Sequence, residues 1–116
     1  MALIFVASPY RGETEVDTAL NVQLAREACR FVLNLGKTPV AAHLLYPRFL
    51  DDKSDDDREK GIQCGLDILN RCDELWFFTR DGQLTEGMRT EGELAKQNEI
   101  PIRMLVYKEG GFVTAL

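Results

Sequence analysis

The stretch "ELWFFTRDGQLTEGMRTEGELAKQNEIPIRMLVY", Glu74 to Tyr107, decides the fold. It reads as strand, helix, strand. "ELWFFT" is a short continuous apolar run, the pattern of a strand buried on both faces. "RDGQ" is a turn. A helix follows from about Glu86 to Asn98, and Pro101 opens a second apolar run, "IRMLVY". Two buried strands joined by a helix make a parallel unit with a right-handed crossover.

The same alternation extends toward the N-terminus. "ALIFVAS", Ala2 to Ser8, is another doubly buried strand, ending in a Pro-containing turn. Thr14 and Asp17 resemble a capping box that opens a helix. Leu24, Ala28, Phe31, Val32 and Leu35 then share one face, Arg26, Arg30 and Asn34 lie opposite, and Gly36 stops the helix. "TPVAA" gives a short second strand. "HLLYPRFLDDKSDDD" has no period and reads as a loop, acidic in its second half. Ser54 and Asp57 signal another helix start. That helix sets Arg58, Ile62, Gly65, Leu66, Leu69 and Cys72 roughly on one face. After "IRMLVY", "EGGFVTAL" is a Gly-Gly turn and a tail, read as an edge strand or a dimer contact.

The order β-α-β-α-β-α-β predicts an α/β fold: a three-layer, flavodoxin-like (Rossmann-like) domain spanning residues 1–116. Its parallel sheet has four to five strands in the order 2-1-3-4. Ligands of such sheets bind beyond the carboxyl ends of the strands, at the switch point. That rule brings "SPYRG", "HLLYP" and "TRDGQLTEG" to one edge.

The totals exclude several classes. A net charge of -5 argues against binding to a nucleic-acid polymer, which wants a basic face. Cys29, Cys64 and Cys72 are odd in number and form no C-x-x-C, and His43 is the single histidine. No zinc site or disulfide framework is expected, and reduced core thiols suit a cytoplasmic protein. "MALIFVAS" is too short and uncharged for a signal peptide, and no apolar run reaches membrane-spanning length. "DDKSDDD" lacks the Gly and terminal Glu of an EF-hand loop and reads as a solvated acidic loop with a helix cap. Ser8 and Pro9 stand where a response regulator needs acids, and "SPYRGET" is short for a flavin loop. No metal or cofactor is expected.

The helix in the opening stretch carries Glu86, Glu91 and Glu93. At about 100° per residue, Met88, Gly92 and Ala95 fall on one side, with Leu94 at its margin. Arg89, Glu93, Lys96 and Gln97 fall on the other, and Glu86 projects with them. Glu91 lies between Leu94 and Ala95, within the apolar face. A carboxylate packed toward a sheet is costly unless it is paired or hydrogen-bonded. Glu91 is therefore either satisfied by a neighbouring backbone group or hydroxyl, or it is functional. Its place in the early turns of the helix, near the positive dipole end, predicts that it stays ionised. Gly87 allows close approach, and Thr85 adds a hydroxyl at the helix N-terminus. "SPYRG" adds Ser8, the ring and hydroxyl of Tyr10, the guanidinium fork of Arg11 and the small Gly12.

These motifs resemble those of the nucleoside 2-deoxyribosyltransferases and the related deoxynucleoside 5′-monophosphate N-glycosidases. The matching residues are "IFVASPYRG", "CDELWFF" and "LTEGMRTEGELA". The middle stretch, "HLLYPRFLDD" through "GIQCGLDILNRCDELW", is similar to an uncharacterised bacterial and phage branch of that superfamily. The most specific motif is a small polar residue, any residue, Gly, then Glu four positions after the Gly. The resemblance implies that Glu91 is the catalytic nucleophile, forming a covalent glycosyl intermediate at the anomeric carbon. Thr85 stands where the transferases have Asp and the monophosphate hydrolases have Ser. With Ser8 and Arg11 matching the hydrolases' phosphate loop, it implies a 5′-phosphorylated or otherwise anionic ligand. Tyr10, Gly12, Gly87 and Met88 complete the implied substrate site.

Two positions depart from the family. Ile4 matches a Tyr that bonds the nucleophile. Gly65 matches an Asp, and Asp67, two residues on, is turned roughly 200° away. Tyr10 and Arg58 are candidate substitutes. His43 is either a proton donor to a leaving base or a loop histidine. Trp76 and Phe77 are expected in the core. Tyr46, Pro47 and Phe49 form either a lid that stacks on a base or a dimer patch.

Three readings follow. The first is an N-glycosidase or deoxyribosyltransferase acting on a nucleoside or nucleotide. The second is a non-catalytic module or sensor that binds a nucleotide-derived ligand. The third is a structural domain in which Glu91 is a buried, satisfied acid. A sheet this small leaves faces uncovered, and a homodimer or larger assembly is expected.

Overall fold

A computed structural model describes residues 1–115. Its strands are β1 (Leu3–Ala7), β2 (Thr38–Val40), β3 (Glu74–Thr79), β4 (Ile102–Lys108) and β5 (Gly111–Thr114). Its helices are α1 (Glu15–Asn34), α2 (Asp55–Leu69) and α3 (Glu86–Gln97). One sheet runs β2-β1-β3-β4-β5. The first four strands are parallel, and β5 returns antiparallel along β4. This is the flavodoxin-like order expected, with the C-terminal tail added as an edge strand. Glu109 (φ 51°) and Gly110 (φ 82°) make the turn that reverses the chain. Leu116, the last residue of that tail, lies outside the described residues.

Strand alternation builds two cores. Ile4 and Val6 of β1 and Trp76 and Phe78 of β3 pack with Ala28 and Val32 of α1. Phe5, Ala7, Leu75 and Phe77 face the other way, against Leu69 of α2 and Met88 and Ala95 of α3. Because both faces are covered, the strands can be apolar at every position, which is why no polar alternation marks them. Trp76 and Phe77 are core as expected, on opposite faces.

Side-chain caps start all three helices, at Thr14 and Ser54 as the sequence placed them and also at Thr85. Thr14 accepts from the Asp17 amide at 3.1 Å, Ser54 from Asp57 at 3.3 Å, and Thr85 from Met88 at 3.2 Å. One expectation needs correction: Leu35 is exposed, because α1 ends at Asn34 and Leu35 is already its cap. Arg58, Ile62, Gly65 and Leu66 do share one face of α2, but Arg58 and Ile62 are exposed, since only the second half of the helix, with Gly65 and Leu69, is buried against the core. The segment read as loop contains two single turns of 3₁₀ helix, Ala42–Leu44 and Tyr46–Arg48. The first of these cuts β2 short at Val40. No described helix is long and apolar enough to cross a membrane.

Candidate functional site

The loops after β1 and β2, together with α2 and the start of α3, enclose a cleft of about 580 Å³. Tyr10 and Arg11 come from "SPYRG". His43, Tyr46 and Pro47 follow β2. Asp51 and Asp52 precede α2, which contributes Asp57, Arg58, Gly61, Ile62 and Gly65. Thr85, Glu86, Gly87, Thr90 and Glu91 complete the wall from α3. The three loops expected at the switch point do meet there.

Glu91 is the chemically unusual member. Met88, Gly92 and Ala95 press α3 onto the sheet. A Cβ at Gly92 would stand 3.1 Å from Phe77 Cζ, so the helix lies very close to β3. That approach draws Glu91 down with it. Its Oε1 is sealed from solvent and has no hydrogen-bond partner among the described residues. Burial pushes the carboxyl from its ordinary 4.5 up to about 7. The expectation that the helix dipole would hold it ionised is corrected. Glu91 is the sixth residue of α3, and the dipole's effect fades beyond the first turn. Near neutral pH both protonation states are present.

Part of the cleft lining is aromatic. Tyr10 and His43 stack with ring centroids 5.1 Å apart and planes at 21°. Burial lowers the His43 pKa, with the nearby Asp52 charge opposing it. Burial raises that of Tyr10, and Asp52 adds to it while Arg11 opposes. Asn21 Nδ2 donates to the Tyr10 carbonyl at 3.1 Å, and Arg80 Nη1 donates to Asn21 Oδ1 at 3.1 Å. The Tyr10 loop is thereby tied to α1 and to the turn after β3.

The wall's charge is mostly negative. Asp51, Asp52, Asp57, Glu86 and Glu91 face Arg11 and Arg58. Both guanidiniums are already engaged. Arg11 Nη2 reaches the Asp52 carbonyl and Oδ2 at 2.9 Å each, and Arg58 Nη2 reaches Asp55 Oδ1 at 2.7 Å.

A family model described as a domain of unknown function (DUF7768) matches residues 2–105. The chain belongs to this family. Among solved structures, the DUF7768 chain is similar to a 2-deoxyribosyltransferase from the psychrotolerant bacterium Bacillus psychrosaccharolyticus. The identity is 17% and the TM-score 0.70, over 89% of this chain and 71% of that one. At that identity the likeness is one of fold. No curated protein matches the sequence.

The DUF7768 structure sorts the residues singled out from sequence. Tyr10, Arg11, His43, Arg58, Thr85, Gly87 and Glu91 line one cleft. Ser8, Gly12 and Met88 do not. Ser8 is 1% exposed and its Oγ has no partner among the described residues, so it lies beneath the loop rather than in the wall. Gly12 is small because of α1: a Cβ there would stand 2.3 Å from Asp17 Cβ and 2.9 Å from the Asp17 carbonyl carbon. Its amide donates to Thr18 Oγ1. Met88 is 1% exposed and belongs to the core between α3 and the sheet.

The two departures also become concrete. Ile4 points to the α1 side of the sheet, while Glu91 sits on the α3 side. Side chains of β1 on that side of the sheet are those of Leu3, Phe5 and Ala7, which carry no hydroxyl. Gly65 faces the cleft, with only Ala42 Cβ within 4 Å of an added Cβ. Asp67 turns outward and pairs with Arg71 at 2.9 Å. Tyr46 and Pro47 line the cleft, whereas Phe49 is 65% exposed and stays outside it. Asp51, Asp52, Asp57, Glu86 and Thr90 were not foreseen in the wall. Nothing in "DDKSDDD" marks one aspartate as cleft-facing, because Arg11, which meets Asp52, lies 41 residues away.

Proposed function

We propose that the protein breaks the N-glycosidic bond of a nucleoside or nucleotide, by hydrolysis or by transfer of the sugar, with Glu91 as nucleophile. The observation that carries this reading is the buried Glu91 Oε1, unpartnered among the described residues, on a residue lining the cleft. The ionised carboxylate attacks the anomeric carbon, the carbon–nitrogen bond breaks, and its electron pair leaves with the base. Water or a second base then attacks the same carbon and releases Glu91. His43 lines the same cleft and serves to return a proton to the departing base. The Tyr10–His43 pair and Tyr46 offer flat surfaces for the base.

The sequence pattern favours a 5′-phosphorylated substrate through Ser8, Arg11 and Thr85. Thr85 and Arg11 support that part of the reading from the cleft wall. The buried Ser8 and the carboxylates around Arg11 weigh against it.

The test is incubation with deoxynucleosides, ribonucleosides and their 5′-monophosphates, with free base followed by chromatography. Base release that disappears in Glu91→Gln is the expected result. No release from any member would refute the catalytic reading. One observation favours a non-catalytic binding module instead: β1 puts only Leu3, Phe5 and Ala7 on the α3 side, so it gives Glu91 no hydroxyl to orient it. Ligand-induced thermal stabilisation without base release is the outcome that would select it.

A further inference from the structure

We propose that Asp52 sets the selectivity of this cleft, directing it toward ligands with an uncharged 5′ end and away from phosphate monoesters. The inference rests on the nucleoside or nucleotide reading above and deepens it.

Arg11 is the cleft cation best shaped for a phosphate, since its fork can give two parallel hydrogen bonds to an oxyanion. In this structure it is turned onto the loop before α2. One nitrogen, Nη2, meets both the Asp52 carbonyl and its carboxylate at 2.9 Å. That loop is built to present Asp52. The Asp51 amide donates to Asp57 Oδ2 at 2.8 Å, and Asp51 Oδ1 accepts from the Lys53 amide at 2.9 Å. These bonds fold the turn on both sides of Asp52 and attach it to the start of α2.

A phosphate entering the cleft would meet two obstacles. It must displace Asp52 from Arg11, and it must then sit near the displaced carboxylate. Arg58, the other arginine of the wall, has Asp55 at 2.7 Å and shares the wall with Asp57, so a phosphate there would also sit among carboxylates. A sugar hydroxyl meets neither obstacle, because it can donate to a carboxylate and carries no charge. The pair is about half exposed, at 51% and 46%, so its own strength is modest. The selectivity comes instead from the repulsion between a carboxylate and a phosphate dianion at short range. Even at water-like screening this amounts to on the order of tenfold in affinity.

The experiment reads binding and not turnover. In full-length protein carrying Glu91→Gln, the dissociation constants of a 2′-deoxynucleoside and its 5′-monophosphate are measured by calorimetry at pH 7.5 and low salt. The nucleoside is expected to bind more tightly. Adding Asp52→Asn should move the affinity ratio about tenfold toward the monophosphate. Asp52→Glu should preserve the original preference, and Arg11→Gln in the Asp52→Asn background should remove the gain. Tighter binding of the monophosphate by the parent, or a ratio unmoved by Asp52→Asn, would overturn the proposal. Binding of neither ligand would overturn it together with the nucleoside reading. Because base release plays no part, failure of the catalytic step alone leaves the affinity ratio unaffected.

Discussion

Glu91→Gln will stabilise this protein at pH 8 and leave its stability nearly unchanged at pH 4. The carboxyl is held at about 7 in the folded chain, against an ordinary value of 4.5. Between those values the folded state keeps a proton that the unfolded state releases. Stability therefore falls as pH rises through that window, and is flat above it. Raising the carboxyl from 4.5 to about 7 corresponds to roughly 3.5 kcal/mol as the full cost of ionising Glu91 in place, most of which is reached by pH 8. Gln is nearly isosteric and uncharged and, like the protonated carboxyl, leaves a buried polar group unpaired at every pH, so a gain of roughly 3 kcal/mol is expected at pH 8. The assay is urea unfolding of both proteins at pH 4, 6 and 8. The gap between them should open from near zero to roughly 3 kcal/mol across the series. Parallel curves would show an ordinary carboxyl at position 91 and refute the burial argument. The same titration predicts a catalytic rate that rises with pH to a midpoint near 7, since the nucleophile must be ionised.

Three further outcomes follow from the packing. Gly12→Ala should cost about 2 kcal/mol or more, because a Cβ there collides with Asp17 at 2.3 Å, and thermal unfolding will report it. Met88→Ala should cost about 2–5 kcal/mol in urea unfolding while leaving ligand affinity largely intact, as expected of a core residue. The protein should sediment as a dimer or larger species at micromolar concentration, covering apolar side chains such as Phe49, Leu45 and Ile62 that are exposed in the single chain. A monodisperse monomer in analytical ultracentrifugation would contradict this.

Much of the fold is local information. Apolar runs bounded by turns, capped helix starts and the strand–helix alternation are written over short windows, and the right-handed crossover rule converts them into a sheet order. That is why β2-β1-β3-β4, the capping residues Thr14 and Ser54 and the core places of Trp76 and Phe77 are legible in the sequence. The helical projection of α3 is equally local, and it separates Glu91 from Glu86 and Glu93 without reference to the rest of the chain.

The site is another matter, because its character depends on which distant groups meet. Desolvation of Glu91 requires the close seat of Gly92 on Phe77, and it outweighs a helix dipole already faded at the sixth residue. Ser8 and Met88 look like wall residues in sequence and are buried in space, since strand and helix phases alone do not say how deep a position lies. Gly12 looks like room for a ligand and is room for α1. Arg11 looks free to hold a phosphate until a loop 41 residues away brings Asp52 to it. By itself, then, the sequence determined the order of the sheet, the position of the cleft and the unusual glutamate, all through near-neighbour patterns. Tertiary structure alone decided the charge and protonation within the cleft, because electrostatic energy follows distance in space and exposure to water.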